Sequence, residues 1–142
     1  LTSPPPAGSR WMSGPVALRA LGDYSVARLS KVEDDGAQNP PCLEMRFGSW
    51  RVPCPVEAGA RTISISVRHN LLNPPPRLRV AANPDLGVAQ DVIAEAQNRD
   101  DWHQIQVTVT VSRRGVLEVY LENLDPMITE HRWARWDDLQ VT

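Results

Sequence analysis

The sequence predicts an all-β fold, an antiparallel two-sheet β-sandwich, on three observations. The first is the stretch Trp102 to Val111, in which Ile105, Val107, Val109 and Val111 alternate with Gln104, Gln106, Thr108 and Thr110. Period-two alternation with β-branched residues on one side gives a strand with one buried and one wet face. The second is that the pattern recurs: Ile63, Ile65 and Val67 in RTISISVRHN, Leu78 and Val80 in RLRVA, and Leu117, Val119 and Leu121 in VLEVYL. The third is the punctuation, since turn formers such as Glu57-Ala58-Gly59, Asn73-Pro74-Pro75-Pro76 and Arg113-Arg114-Gly115 separate these runs, with no convincing amphipathic helix between them.

At 142 residues the chain fits one domain that buries about two-thirds of the surface of its unfolded form. Leu1 to Arg10, with Pro4 to Pro6 and Gly8, reads as an extended linker or arm, and Trp11 to Thr142 as a single sandwich domain. Val16, Leu18 and Ala20, then Tyr24 and Val26, alternate as an edge strand would. Ser30 to Pro41 reads as a long loop ending in Asn39-Pro40-Pro41.

Leu43, Met45 and Phe47 share one face of a short strand, and Gly48-Ser49 supplies the glycine a type II′ hairpin requires. The returning segment Trp50 to Pro55 would then set Phe47 opposite Trp50, Met45 opposite Val52 and Leu43 opposite Cys54. Pro53 and Pro55 cannot donate to a central ladder, which places that segment at an edge or a bulge. Between Asn83 and Asp101 the run VAQDVIAEAQN fits a short helix or a brief strand through Val92 and Ala94; the all-β surroundings favour the strand. Glu122 to His131 reads as a loop. RWARWDDLQVT closes the core with Leu139 and Val141.

Charge is nearly balanced, 15 Lys+Arg against 17 Asp+Glu, so no global field recruits nucleic acid or an anionic membrane. No apolar run approaches the roughly 20 residues that span a bilayer, and the start at Leu1 without a signal-peptide pattern points to a processed or excised segment. Enzyme chemistry finds little purchase: His69, His103 and His131 are scattered, and no metalloprotease or nucleophile-elbow motif is present. His69 continues the inward parity of its strand and reads as a hydrogen-bonded structural histidine.

Outward parity puts Arg68, Arg79, Gln106, Glu118 and Tyr120 on the wet side, where Arg, Gln and Tyr offer paired donors and a stacking ring for a sugar, or form an ordinary solvated sheet. We expect Arg68, Arg79 and Tyr120 to share one sheet surface. Strict alternation back from Leu139 and Val141 turns Trp136 outward with them, as a ligand platform; a bulge would return it to the core. Cys42 and Cys54, the only cysteines, sit at the ends of the expected hairpin, and an even pair so placed predicts a disulfide worth about 3 kcal/mol if the sandwich folds in an oxidising compartment. With a two-residue turn their sulfurs leave on opposite faces, so the bridge needs an extra residue, which Pro53 would supply as a bulge.

The strands TISISVR after Gly59, the pair Trp102 to Asn123 and the terminal WDDLQV at Trp136 to Val141 resemble carbohydrate-binding-module and galactose-binding-like jelly rolls. The resemblance covers roughly residues 43 to 142. It implies a jelly-roll sandwich and a non-catalytic module of an extracellular or surface protein that docks carbohydrate or a glycosylated surface. In such modules an aspartate at the position of Asp137 and Asp138 helps hold a structural calcium, but the family's usual N-terminal opening is missing here. Calcium takes six to eight oxygen ligands and one Asp pair supplies few of them. Similar jelly rolls also serve as virion coat, fibre or decoration modules, whose partners are neighbouring copies or other coat proteins; that structural assembly role is the alternative.

Overall fold

The computed structural model describes residues 10–11, 29–32, 42–127 and 132–142. Among these residues ten strands follow one another: β1 (Arg10–Trp11), β2 (Leu29–Val32), β3 (Cys42–Met45), β4 (Gly48–Val56), β5 (Gly59–His69), β6 (Arg77–Val80), β7 (Val92–Glu95), β8 (His103–Val111), β9 (Gly115–Asn123) and β10 (Ala134–Val141). They form two antiparallel sheets, one in the order β2-β3-β10-β5-β8 with β1 also on β10, the other in the order β4-β9-β6-β7. This is the two-sheet sandwich the alternation predicts. Among the described residues no helix is long and apolar enough to cross a membrane.

The core is built by parity. Ile63, Ile65 and Val67 of β5 and Ile105, Val107, Val109 and Val111 of β8 face Trp50, Val52, Leu78, Val80, Leu117, Val119 and Leu121 of the other sheet, all buried. β5 and β8 pair without a break from Gly59↔Val111 to Val67↔His103, so one uninterrupted alternation fixes both strands' inward faces. The segment from Asn83 to Asp101 contains β7, as favoured from the sequence, together with a 3-10 turn at Pro84–Leu86 that the sequence reading missed. That turn closes over the start of β9. A Cβ on Gly115 would come within 2.5 Å of Leu86 Cδ2, so any larger residue there must push the Leu86 side chain aside.

The expected hairpin is overturned. β3 lies in one sheet, between β2 and β10, and β4 in the other, paired with β9 through nine residues from Gly48↔Asn123 to Val56↔Gly115. Gly48, at φ 147°, therefore stands where the chain passes from one sheet to the other, a backbone that only glycine adopts readily. A nine-residue ladder with β9 outweighs a short local pairing with β3. The registers Phe47 with Trp50, Met45 with Val52 and Leu43 with Cys54 fall with the hairpin. The edge placement of Pro53 and Pro55 holds, because β4 ends its sheet.

The disulfide falls for the same reason: Cys42 and Cys54 are buried and not bridged to each other, on strands of different sheets. The Cys54 thiol contacts the Val52 carbonyl oxygen at 3.7 Å. Burial, assisted by the nearby Glu118 charge, pushes its pKa up to about 12, so it carries almost no thiolate at neutral pH. We expect the native protein to give the mass of two free thiols without reductant and to react with a thiol reagent only after unfolding. A mass two hydrogens lower would restore the bridge.

Three further readings meet the structure differently. The loop expected from Ser30 contains most of β2. The edge pattern at 16–26, most of the proline-rich arm and His131 lie outside the described residues. Trp136 is buried, 1% exposed, rather than a ligand platform. The register of β10 on β5 shifts between Asp137 and Gln140, with Asp138 at φ 57°, and this bulge turns both Trp136 and Leu139 inward.

Candidate functional site

The outward residues do not form one surface. Arg68 and Gln106 lie on β5 and β8 of the six-stranded sheet, while Arg79, Glu118 and Tyr120 lie on β6 and β9 of the four-stranded sheet. Two strands with the same wet-side parity can belong to opposite sheets, and the shared face proposed for Arg68, Arg79 and Tyr120 fails on that ground. The structure brings Arg79, Glu118 and Tyr120 together and separates them from Arg68, Gln106 and Trp136.

On the four-stranded sheet the register sets Arg51, Tyr120 and Arg79 in one row, and Ser49, Glu122 and Arg77 in the next. Glu122 is only 4% exposed. Its carboxylate accepts from Arg77 Nε at 2.7 Å, Arg79 Nε and Nη2 at 3.2 Å each, and Ser49 Oγ at 2.7 Å. Burial alone would raise its pKa, but the bonds from Arg79, Ser49 and Arg77 outweigh it and hold the carboxyl below its ordinary value. The remaining reach of Arg79 goes to Asp91, with Nη1 to Oδ2 at 3.1 Å. So fixed, the guanidinium stacks on Tyr120, Cζ 4.2 Å from the ring centroid. Exposed Arg51 pairs loosely with Glu118 at 3.7 Å.

A second place, at the loop end, went unseen in the sequence. The connections β5–β6 and β7–β8 enclose a recess of about 390 Å³ lined by Leu71, Leu72, Asn73, Pro75 and Asn98, within the size range of small-ligand sites. Leu71 is 52% exposed and sits at φ 58°, a conformation that costs a leucine free energy. Its carbonyl accepts from Arg132 at 3.3 Å, and the Asn73 N–H donates to Asp125 at 2.9 Å. The backbone is thus tied down, while the side-chain amides of Asn73 and Asn98 have no hydrogen-bond partner among the described residues.

At the same end, buried His69 accepts the Leu72 N–H on Nδ1 at 3.0 Å and meets the Gln97 carbonyl through Nε2 at 2.7 Å, the structural histidine expected from parity. His103 accepts the Gln97 N–H on Nε2 at 2.8 Å and meets the Asp101 carbonyl through Nδ1 at 3.0 Å.

Asp137 and Asp138 are both buried on β10. Among the described residues no group of three or more His, Cys, Asp or Glu side chains forms around them or elsewhere. Two neighbouring carboxylates on a bulged strand fall short of a calcium shell unless backbone carbonyls complete it.

No family model and no curated protein matches this sequence. Solved structures do match. The carbohydrate-binding module CBM6cm-2 of Cellvibrio mixtus lichenase 5A, solved with cellotriose, superposes with TM-score 0.56 at 13% identity, covering 96% of this chain and 97% of that one. The CBM22-1 xylan-binding domain of Paenibacillus barcinonensis Xyn10C gives 0.55 at 13%, covering 99% and 96%. TmCBM61, solved with β-1,4-galactotriose, gives 0.53 at 15%, covering 94% and 99%. The chain therefore has the β-sandwich fold of carbohydrate-binding modules. The coat, fibre or decoration reading gains no support from these likenesses.

Proposed function

We propose that this chain is a non-catalytic carbohydrate-docking module of an extracellular or surface protein, and that its ligand sits in the loop-end recess. The observation that carries the reading is the recess itself, where two unengaged amides, Asn73 and Asn98, stand over an apolar floor of Leu72 and Pro75. An amide offers both a donor and an acceptor to adjacent sugar hydroxyls, and the apolar floor suits the C–H face of a pyranose. The fold shared with modules solved on cellotriose and β-1,4-galactotriose supports the ligand class. The non-catalytic part is supported by how fully His69, His103 and Glu122 are spent. Both ring nitrogens of His69 and of His103 bind backbone groups, and Glu122 is kept charged by its arginines, so none is poised as a general acid or base.

A second location is favoured by one observation: Tyr120, held by the Arg79 stack, lies in register between Arg79 and exposed Arg51 on an open sheet face, with half-buried Glu118 next along its strand. Titration of the protein with cellotriose, β-1,4-galactotriose and xylohexaose, with Asn98→Ala and Tyr120→Ala alongside, separates the two. We expect binding to at least one sugar, weakened about tenfold by N98A, as for the loss of a well-made hydrogen bond, and changed less than about twofold by Y120A. The reverse pattern moves the site to the sheet face. No binding to any of the three at about 5 mM overturns the carbohydrate reading.

A further inference from the structure

His69 and His103 hold the backbone of one residue, Gln97, from two directions, His69 at its carbonyl and His103 at its N–H. The Leu72 N–H occupies Nδ1 of His69, so the ring proton is on Nε2 and donates to the Gln97 carbonyl; the Gln97 N–H occupies Nε2 of His103, so its proton is on Nδ1 and donates to the Asp101 carbonyl. Both rings must therefore be neutral, because a protonated imidazole has two N–H groups and no acceptor. We propose that this pair is a pH-operated latch: the neutral imidazoles accept the Leu72 and Gln97 N–H groups, and protonation at mildly acidic pH breaks those two bonds and loosens the recess walls that Leu72 and Asn98 form.

Protonating either ring would set an N–H against a backbone N–H at 3.0 Å in His69 or 2.8 Å in His103. Neither backbone donor can invert. The ring centroids are 6.4 Å apart, so a charge on one opposes a charge on the other. The described carboxylates that act on them come from the loosened segment, Asp100 on His69 and Asp101 on His103. Asp101 is already paired with Arg99. Asp100 favours a charged His69, while Arg68, the preceding residue on β5, donates to the Asp100 carbonyl at 2.8 Å. Burial outweighs these and lowers the His69 pKa from its ordinary 6.5. A depressed histidine contributes stability that is present above the ordinary value and is lost as pH falls through the lower folded one.

The opening is local. Gln97, Asn98, Arg99, Asp100 and Asp101 are all exposed, so releasing them uncovers little apolar surface. Ala96 N–H to the Pro76 carbonyl, 2.8 Å, anchors one end and the Val67↔His103 pair the other. The consequence for sugar affinity rests on the loop-end reading above; the latch does not.

The test is amide hydrogen exchange on the free protein at about pH 7.5 and about pH 5.5, each rate divided by its intrinsic rate. Protection at Leu72 and Gln97 is expected to fall about tenfold at the lower pH, with Val119 in the core unchanged. His103→Gln, whose Oε1 can accept the Gln97 N–H without titrating, is expected to keep Gln97 protected at both. Unchanged protection at Leu72 and Gln97, or an equal loss at Val119, overturns the latch. A parallel cellotriose titration reads the pocket: affinity lost at the lower pH in the parent and kept in H103Q agrees with the latch reaching the sugar. Binding at neither pH counts against the sugar reading alone, and the exchange result still decides the latch.

Discussion

Replacing Trp136 with alanine is expected to remove about 3–5 kcal/mol of stability, the usual cost of emptying a large aromatic site in a close-packed core. The residue lies within β10, flanked in register by Leu43 of β3 and Val67 of β5, both fully buried. Three strands of one sheet therefore surround the hole, and none can collapse into it without breaking pairing with its neighbours. Trp136→Phe should lose clearly less. Urea unfolding measures both, with the slope unchanged if the transition stays two-state. A loss under about 1 kcal/mol would mean an outward ring, as strict alternation had it.

Why alternation misplaced Trp136, yet placed β5, β8 and β9 correctly, is a matter of what a bulge does to parity. Ile63 to Val67 and Ile105 to Val111 keep period two throughout, and their register is unbroken. In β10 the extra residue near Asp138 makes positions 136 and 139 face the same way, and its sequence sign is slight, since an aspartate at positive φ looks like any other aspartate. The Gly48 error is of another kind. A glycine that begins a hairpin and a glycine that carries the chain between sheets have the same local chemistry, and only the distant strand β9 decides between them. Strand pairing is non-local information. For the same reason parity alone cannot separate Arg68 from Arg79, which belong to two sheets.

The loop-end recess was illegible for a related reason. Asn73 and Asn98 are far apart in sequence and sit in runs that read as turns, so neither carries a periodic signal. What assembles them is a set of bonds to backbone atoms, from His69, His103 and Asp125, which side-chain types alone do not announce. The sequence did carry one clue, the inward parity of His69. A buried histidine must satisfy two ring nitrogens, and following them leads to Leu72 and Gln97.

Removing the carboxylate of Glu122 should have the other large effect. Glu122→Ala is expected to cost about 3 kcal/mol, because it leaves Arg77 and Arg79 facing each other around an empty site without their shared anion. Arg79 keeps Asp91 and both guanidiniums reach solvent, which holds the loss near the low end of the range for broken buried pairs. Glu122→Gln should lose about 2 kcal/mol: the amide fills the space, but its NH2 group faces donors from Arg79 or Arg77, and the charge assistance is gone. The dependence on pH gives the sign. The folded pKa of Glu122 lies below its ordinary 4.5, so the carboxylate's contribution is fully present above that value and disappears as pH falls through the folded one. Urea unfolding of the parent and E122Q across the acid range should show their difference constant near neutral pH and shrinking below about pH 4.5. A difference that persists unchanged at lower pH would mean the glutamine is lost to packing, and that the ion pairs with Arg77 and Arg79 contribute little.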